Sequence, residues 1–141
     1  MYLFLYFNTF HFFVISLRFA SLRTGSTGFK KSSISFLFTL ANIDGTAGVK
    51  LDVQDTSKAI YNDVSYGPCF GDGDLVISDM AAINVNSSSR LGTSYSLPNS
   101  IADGSVDAVN FLAGSEYFMP DDLEVFHIGR LRDMQSQLPV S

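Results

Sequence analysis

The chain has no tryptophan, a single cysteine, two histidines and four prolines in 141 residues. A lone cysteine, Cys69, excludes an internal disulfide and favours a reducing, intracellular setting with a cytoplasmic location. His11 and His127 fall in an apolar leader and an expected strand, so neither stands beside Cys69 in sequence as a general base. A Gly-x-Ser-x-Gly elbow is also missing, because Gly92-Thr93-Ser94-Tyr95-Ser96 lacks the closing glycine. Basic residues are scarce where they would matter. Residues 40–128 hold thirteen acids against Lys50, Lys58 and Arg90, and such an acidic body repels phosphate backbones. Nucleic acid is therefore not an expected partner. Charged residues make up only 16% of the chain and apolar ones 46%, which favours one folded domain with a real core over disorder.

What is abundant lies at the front. Eight of the nineteen aromatic residues fall in the first nineteen positions, and residues 1–39 carry four bases and no acid. As a membrane-spanning helix, Tyr2–Leu17 is shorter than the roughly 20 residues required and is interrupted by Asn8, Thr9, His11 and Ser16. As a signal peptide it lacks a preceding base, and Phe19-Ala20-Ser21 is a poor cleavage site. As β-structure its aromatic and β-branched content fits, although the alternation is ragged. Residues 1–22 are accordingly set apart as an aromatic leader, with a strand, a signal or anchor, a membrane-surface helix and a gene-model artefact all open. Membrane association through this segment stays open with them.

Residues 23–33 read as a polar linker. Then Ile34, Phe36, Phe38 and Leu40 alternate on one face of an expected half-buried strand. Asn42-Ile43-Asp44-Gly45 supplies a turn, and Val49–Val53 the second arm of a hairpin. Short strands are expected at Ala59–Tyr61 and Asp74–Ser78, a loop at Asn84–Ser89, and another strand at Gly92–Leu97. Asp103–Ala113 is expected to open with a turn of helix, capped by Ser105 and stopped by Gly114, before a strand from Phe111 to Phe118. Asp122–Ile128 is the last strand, and residues 129–141 form a tail. Many short strands with close turn signals argue an antiparallel β-sandwich with one or two short helices, a mainly β (α+β) fold.

The densest signal is Ser65-Tyr66-Gly67-Pro68-Cys69-Phe70-Gly71-Asp72-Gly73-Asp74, where three glycines and a proline shape one backbone path into an apolar strand. Four chemical readings arise, three in or beside this segment and one near the C-terminal end. Cys69 as a nucleophile or redox sensor needs a lowered pKa, whereas Asp72 and Asp74 nearby are expected to raise it. Asp72, Asp74 and Asp79 offer oxygens for calcium but lack the spacing of a calcium loop, so they read as turn-formers bonding their own backbone. Gly71-x-Gly73 lacks the lysine and following helix of a phosphate cradle. Asp122 and Glu124 share a strand face, where a role at a solvated edge outweighs an acid–base pair. No catalytic residue, metal or cofactor is expected.

Taken in order, Ser35-Phe36-Leu37-Phe38-Thr39-Leu40, Ala59-Ile60-Tyr61, the Ser65–Gly73 turn, Ile77-Ser78-Asp79, Asn84-Val85-Asn86-Ser87, Leu91-Gly92-Thr93-Ser94-Tyr95, Phe111-Leu112-Ala113-Gly114-Ser115 and Glu124-Val125-Phe126 resemble the TLDc domain. These blocks cover residues 34–128, taken as the C-terminal part of such a domain, while Gly25–Lys30 looks family-like. Phe19-Ala20-Ser21-Leu22-Arg23 stands where the family carries a tryptophan, which marks the N-terminal part as truncated or divergent. A sandwich short of its first strands is expected to expose sheet edges and core. The resemblance implies an oxidation-resistance-like protein that protects against oxidative stress and associates with the vacuolar proton-pumping ATPase, without an agreed catalytic reaction. It marks Ser65, Tyr66, Gly67, Pro68, Phe70, Gly71, Gly73, Gly114, Ser115 and Glu124 as signature binding positions. Two alternatives accompany it: a peroxide-handling domain using Cys69 or Ser65, and a secreted or membrane-tethered β-domain.

Overall fold

A computed structural model describes residues 2–7, 11–16, 27–39 and 47–126. In chain order its elements are β1 (Tyr2–Phe7), β2 (His11–Ser16), β3 (Gly28–Lys30), β4 (Phe36–Thr39), β5 (Lys50–Asp52), a 3-10 turn (Thr56–Lys58) and β6 (Ile60–Asn62). They continue with β7 (Cys69–Phe70), β8 (Leu75–Val76), β9 (Ser87–Ser89), α1 (Val106–Asn110), β10 (Tyr117–Phe118) and β11 (Asp122–Phe126). All pair antiparallel. One sheet has the order β11-β1-β2-β4-β5 and the other β10-β9-β8-β7-β6-β3. The fold is mainly β, as the short alternating segments imply.

The two sheets share one core. Leu37 and Leu51 from the first sheet pack in one cluster with Ile60, Phe70 and Leu75 from the second, joined by Ile77, Leu91, Tyr95 and Leu112 from the connections. Tyr95, Phe70, Leu37, Leu51, Leu75, Ile77 and Leu112 are fully buried. Each contributes roughly 1.5–3 kcal/mol by leaving water. Tyr95 also ties the layers, since its hydroxyl donates to the Ala59 carbonyl at 2.8 Å while its backbone bridges to Val53. Burial pushes its phenol upward.

The aromatic leader contributes strands. β1 and β2 form a hairpin with Tyr2 opposite Ser16 and Phe7 opposite His11. This hairpin fills the sheet between β11, where Tyr6 faces Asp122, and β4, where Phe13 faces Thr39. The sandwich is therefore not left open at β4. Its outer strands include β5 and β11, which carry Lys50, Asp52 and Asp122, charges that discourage edge-to-edge pairing.

Several expectations are corrected. In β4 and the residues just before it the inward residues are Ser35, Leu37 and Thr39, whereas Ile34 is exposed and Phe36 and Phe38 are half-buried. The reason is that Ser35 and Thr39 have partners: Ser35 Oγ donates to Ser32 Oγ at 2.7 Å, and Thr39 Oγ1 accepts from the Val49 N–H at 3.1 Å. Phe36 and Phe38 instead pack against each other at 5.7 Å, with the Lys50 ammonium 4.7 Å over the Phe36 ring. The linker 23–33 contains β3, and the loop expected at Asn84–Ser89 contains β9, with Ser87 and Ser89 fully buried.

Gly92–Leu97 is a turn with one isolated bridge rather than a strand, for a reason given below. From Phe111 to Phe118 only β10 is extended. The helix starts as expected, with Ser105 Oγ accepting from the Ala108 N–H at 3.2 Å; it ends at Asn110, ahead of the expected stop Gly114, which turns at φ +77°. The Asn42–Gly45 turn, Leu40 and residues 127–141 lie outside the described residues.

Candidate docking site

The Ser65–Gly73 segment is built from both ends. At its start the Asp63 carboxylate accepts from the Ser65 N–H at 2.8 Å, and the Tyr66 N–H donates to the Asp63 carbonyl at 3.3 Å. Such local bonds close a turn without help from a sheet. Val64 and Tyr66 are left at its tip, 89% and 54% exposed. Gly67 then passes so near the next strand that a Cβ there would lie 2.7 Å from the Ile77 carbonyl oxygen. The Pro68 carbonyl accepts from the Ile77 N–H at 2.9 Å, which starts the β7–β8 hairpin. Cys69 and Phe70 pair with Val76 and Leu75.

The loop of that hairpin is fixed from outside. Gly71 and Gly73 adopt φ of +68° and +99°, which other residues occupy only with strain. The Gly71 N–H donates to the Ala59 carbonyl at 2.9 Å and the Asp72 N–H to Ser94 Oγ at 3.1 Å. Asp72 reaches the Lys58 ammonium at 2.7 Å and holds its pKa above the ordinary lysine value. The pair is solvated and adds little stability.

Asp74 is the centre of the arrangement and is fully buried. Its carboxylate accepts from four successive backbone N–H groups, Gly92 at 2.9 Å, Thr93 at 3.1 Å, Ser94 at 2.8 Å and Tyr95 at 3.1 Å. The Thr93 hydroxyl donates to it as well. Backbone donors aimed at one anion form a nest, and this explains why residues 92–95 do not enter a ladder. Asp74 is thus no ordinary turn-former bonding its own backbone; its partners lie 18 to 21 residues away. Its oxygens are occupied by donors, so it is unsuited to calcium. Among the described residues no cluster of His, Cys, Asp or Glu could hold a metal ion.

Cys69 is buried, and its thiol donates to the Gly67 carbonyl at 3.4 Å. Burial first, then the charge of Asp63, pushes the thiol up to about 11. The direction matches expectation, but the acidic neighbour responsible is Asp63 rather than Asp72 or Asp74.

The marked positions separate into roles. Ser65 and Tyr66 are exposed, Gly67 and Pro68 are half-buried, and Phe70 and Gly71 are buried supports. Residues of the turn line two grooves. One, of about 470 Å³, is lined by Phe29, Tyr61, Tyr66, Asp72 and Val76 among others. The other, of about 510 Å³, lies against Gly67 and Pro68 and the start of β11. Gly114 and Ser115 lie instead in the turn between α1 and β10, with Ser115 Oγ donating to the Tyr117 carbonyl at 2.7 Å. Glu124 lies on β11 in the other sheet. Sequence reading missed Asp74 as the hub and Val64 as the most exposed large apolar side chain among the described residues; an aspartate following two glycines, with a later Gly-Thr-Ser-Tyr, was a local sign of the first.

Comparisons with curated proteins and with solved structures gave no match. The family model described as the TLDc domain matches residues 17–129, so its match starts ahead of the blocks at 34–128 and leaves β1 and β2 outside. With that match running from β3 through β11 and across the Asp74-centred turn, the chain belongs to the TLDc domain family.

Proposed function

We propose that this domain is a non-catalytic docking module that presents the Ser65–Gly73 turn to a protein partner. The partner is the vacuolar proton-pumping ATPase, and through it the domain contributes to protection against oxidative stress inside the cell. Family membership supports this reading. The observation that carries it is the apolar tip of Val64 and Tyr66, 89% and 54% exposed on a turn whose backbone is pinned by Asp63, Gly67 and the Asp74 nest. A rigid, exposed aromatic anchor adds contact area at a low entropic cost on binding. Acidic residues around it, Asp63 and Asp72, suit a basic surface on the partner.

Peroxide chemistry at Cys69 is disfavoured by the buried thiol, because a pKa of about 11 leaves little thiolate at neutral pH. Among the described residues no helix is long and apolar enough to cross a membrane. The test is capture of pump subunits from cell extract by the immobilised domain and by a Val64→Ser, Tyr66→Ala variant. Capture by the first and loss by the second is expected. Equal capture by both would remove the turn from the interface.

A further inference from the structure

The second groove beside the turn carries its own chemistry. Its lining includes Met80, Ile83 and Leu123, which are 54%, 70% and 40% exposed, together with Pro68 and Pro120. Large apolar side chains grouped in a concave site of about 510 Å³ are a feature that solvent alone does not favour. Methionine is flexible and polarisable, and suits a surface that must adapt to another side chain. Among the described residues, the charged ones lining the groove are Asp79, Asp121 and Asp122, with no Lys or Arg beside them.

We propose that this groove binds a segment of a protein partner in which apolar side chains are flanked by Lys or Arg. The inference rests on the reading of the domain as a docking module and adds the chemistry of the docked segment. Charge decides the occupant. A second copy seated face to face would oppose the same carboxylates to themselves, in a chain of net charge −5. An anionic lipid surface meets the same repulsion. A basic, apolar segment instead places its hydrocarbon in the groove and its cations at the rim, and association then weakens as salt screens the rim.

The test uses the full chain and a short fluorescein-labelled amphipathic peptide of Leu, Ala and Lys, followed by fluorescence anisotropy at low and high salt. A peptide with Glu in place of Lys is the control. The Lys peptide is expected to bind, more weakly at high salt, and the Glu peptide not to bind. An Ile83→Ser, Met80→Ser variant should lose affinity by about tenfold, the effect of removing a central apolar anchor. An Asp79→Lys, Asp122→Lys variant should lose a similar factor while keeping the wild-type melting profile.

Binding of the Glu peptide, unchanged affinity in both variants, or no binding would each overturn the proposal. So would concentration-dependent dimerisation in sedimentation that Ile83→Ser abolishes, which would assign the groove to a second copy. The peptide contains no pump sequence, so failure here leaves the capture experiment at Val64 and Tyr66 standing, and the reverse holds too.

Discussion

Gly71 and Asp74 are so close that a Cβ on Gly71 would stand 2.0 Å from Asp74 Oδ2. The hairpin loop and the buried carboxylate therefore form one unit: the glycine gives the space, and the carboxylate gathers the backbone of residues 92–95. Gly71→Ala would add left-handed strain and displace the carboxylate from its donors. A loss of about 3 kcal/mol or more is expected in urea unfolding. Gly104 is the control, at φ +69° with nothing within 4 Å of its Cβ position. Gly104→Ala should cost only about 1 kcal/mol. Equal losses would mean that backbone strain, not the approach to Asp74, governs position 71.

Ser87 and Ser89 occupy the same face of β9, both fully buried, yet should respond oppositely. Ser87 Oγ accepts from the Ser78 N–H at 3.1 Å, while Ser89 Oγ has no partner among the described residues. Ser87→Ala should cost about 1–2 kcal/mol by stranding a buried N–H. Ser89→Ala should leave the denaturation midpoint unchanged or raise it. A comparable loss at both sites would show that Ser89 has a partner after all.

The buried Cys69 thiol gives a pH dependence. Its pKa is about 11 in the fold against 9.0 in its unperturbed state, so between those values the unfolded chain has lost the proton and the native one retains it. The unfolded state binds fewer protons there, and stability falls as pH rises. Whatever this group contributes is fully present below pH 9.0 and is lost on the way to about 11. The buried Tyr95 phenol acts in the same direction at higher pH. Cys69→Ala should therefore flatten the decline in thermal midpoint over that window without removing it. In the native wild type, alkylation by iodoacetamide should be slow at neutral pH. Fast alkylation would restore a reactive thiol to consideration.

Much of the architecture was legible because it is local. Ser105 opens a helix by cap chemistry, and Val49, Leu51 and Val53 alternate as a strand whose Leu51 is buried. The turn at Ser65–Gly73 announces itself through glycine and proline. What stayed hidden depends on distant partners. The inward face of β4 and the residue just before it carries Ser35 and Thr39 because neighbours satisfy their hydroxyls, while the aromatic residues of β4 face outward, so alternation alone selected the wrong side. The serines of β9 have low strand propensity and are extended only because both neighbouring strands pair with them. Residues 92–95 read as a strand until Asp74 claims their N–H groups. The Ser65–Gly73 turn was visible, but its exposed tip and the grooves it lines require the assembled sandwich.

Val64 and Tyr66 are proposed as the contact point for the pump. The most direct measurement is a binding titration of the purified proton pump with the wild-type chain and with Val64→Ser, Tyr66→Ala, after both proteins are shown to have the same urea midpoint. Saturable binding by the wild type, weakened about tenfold or more in the variant, is the expected result. Indistinguishable isotherms, or no binding by either protein, would rule out pump contact through Val64 and Tyr66.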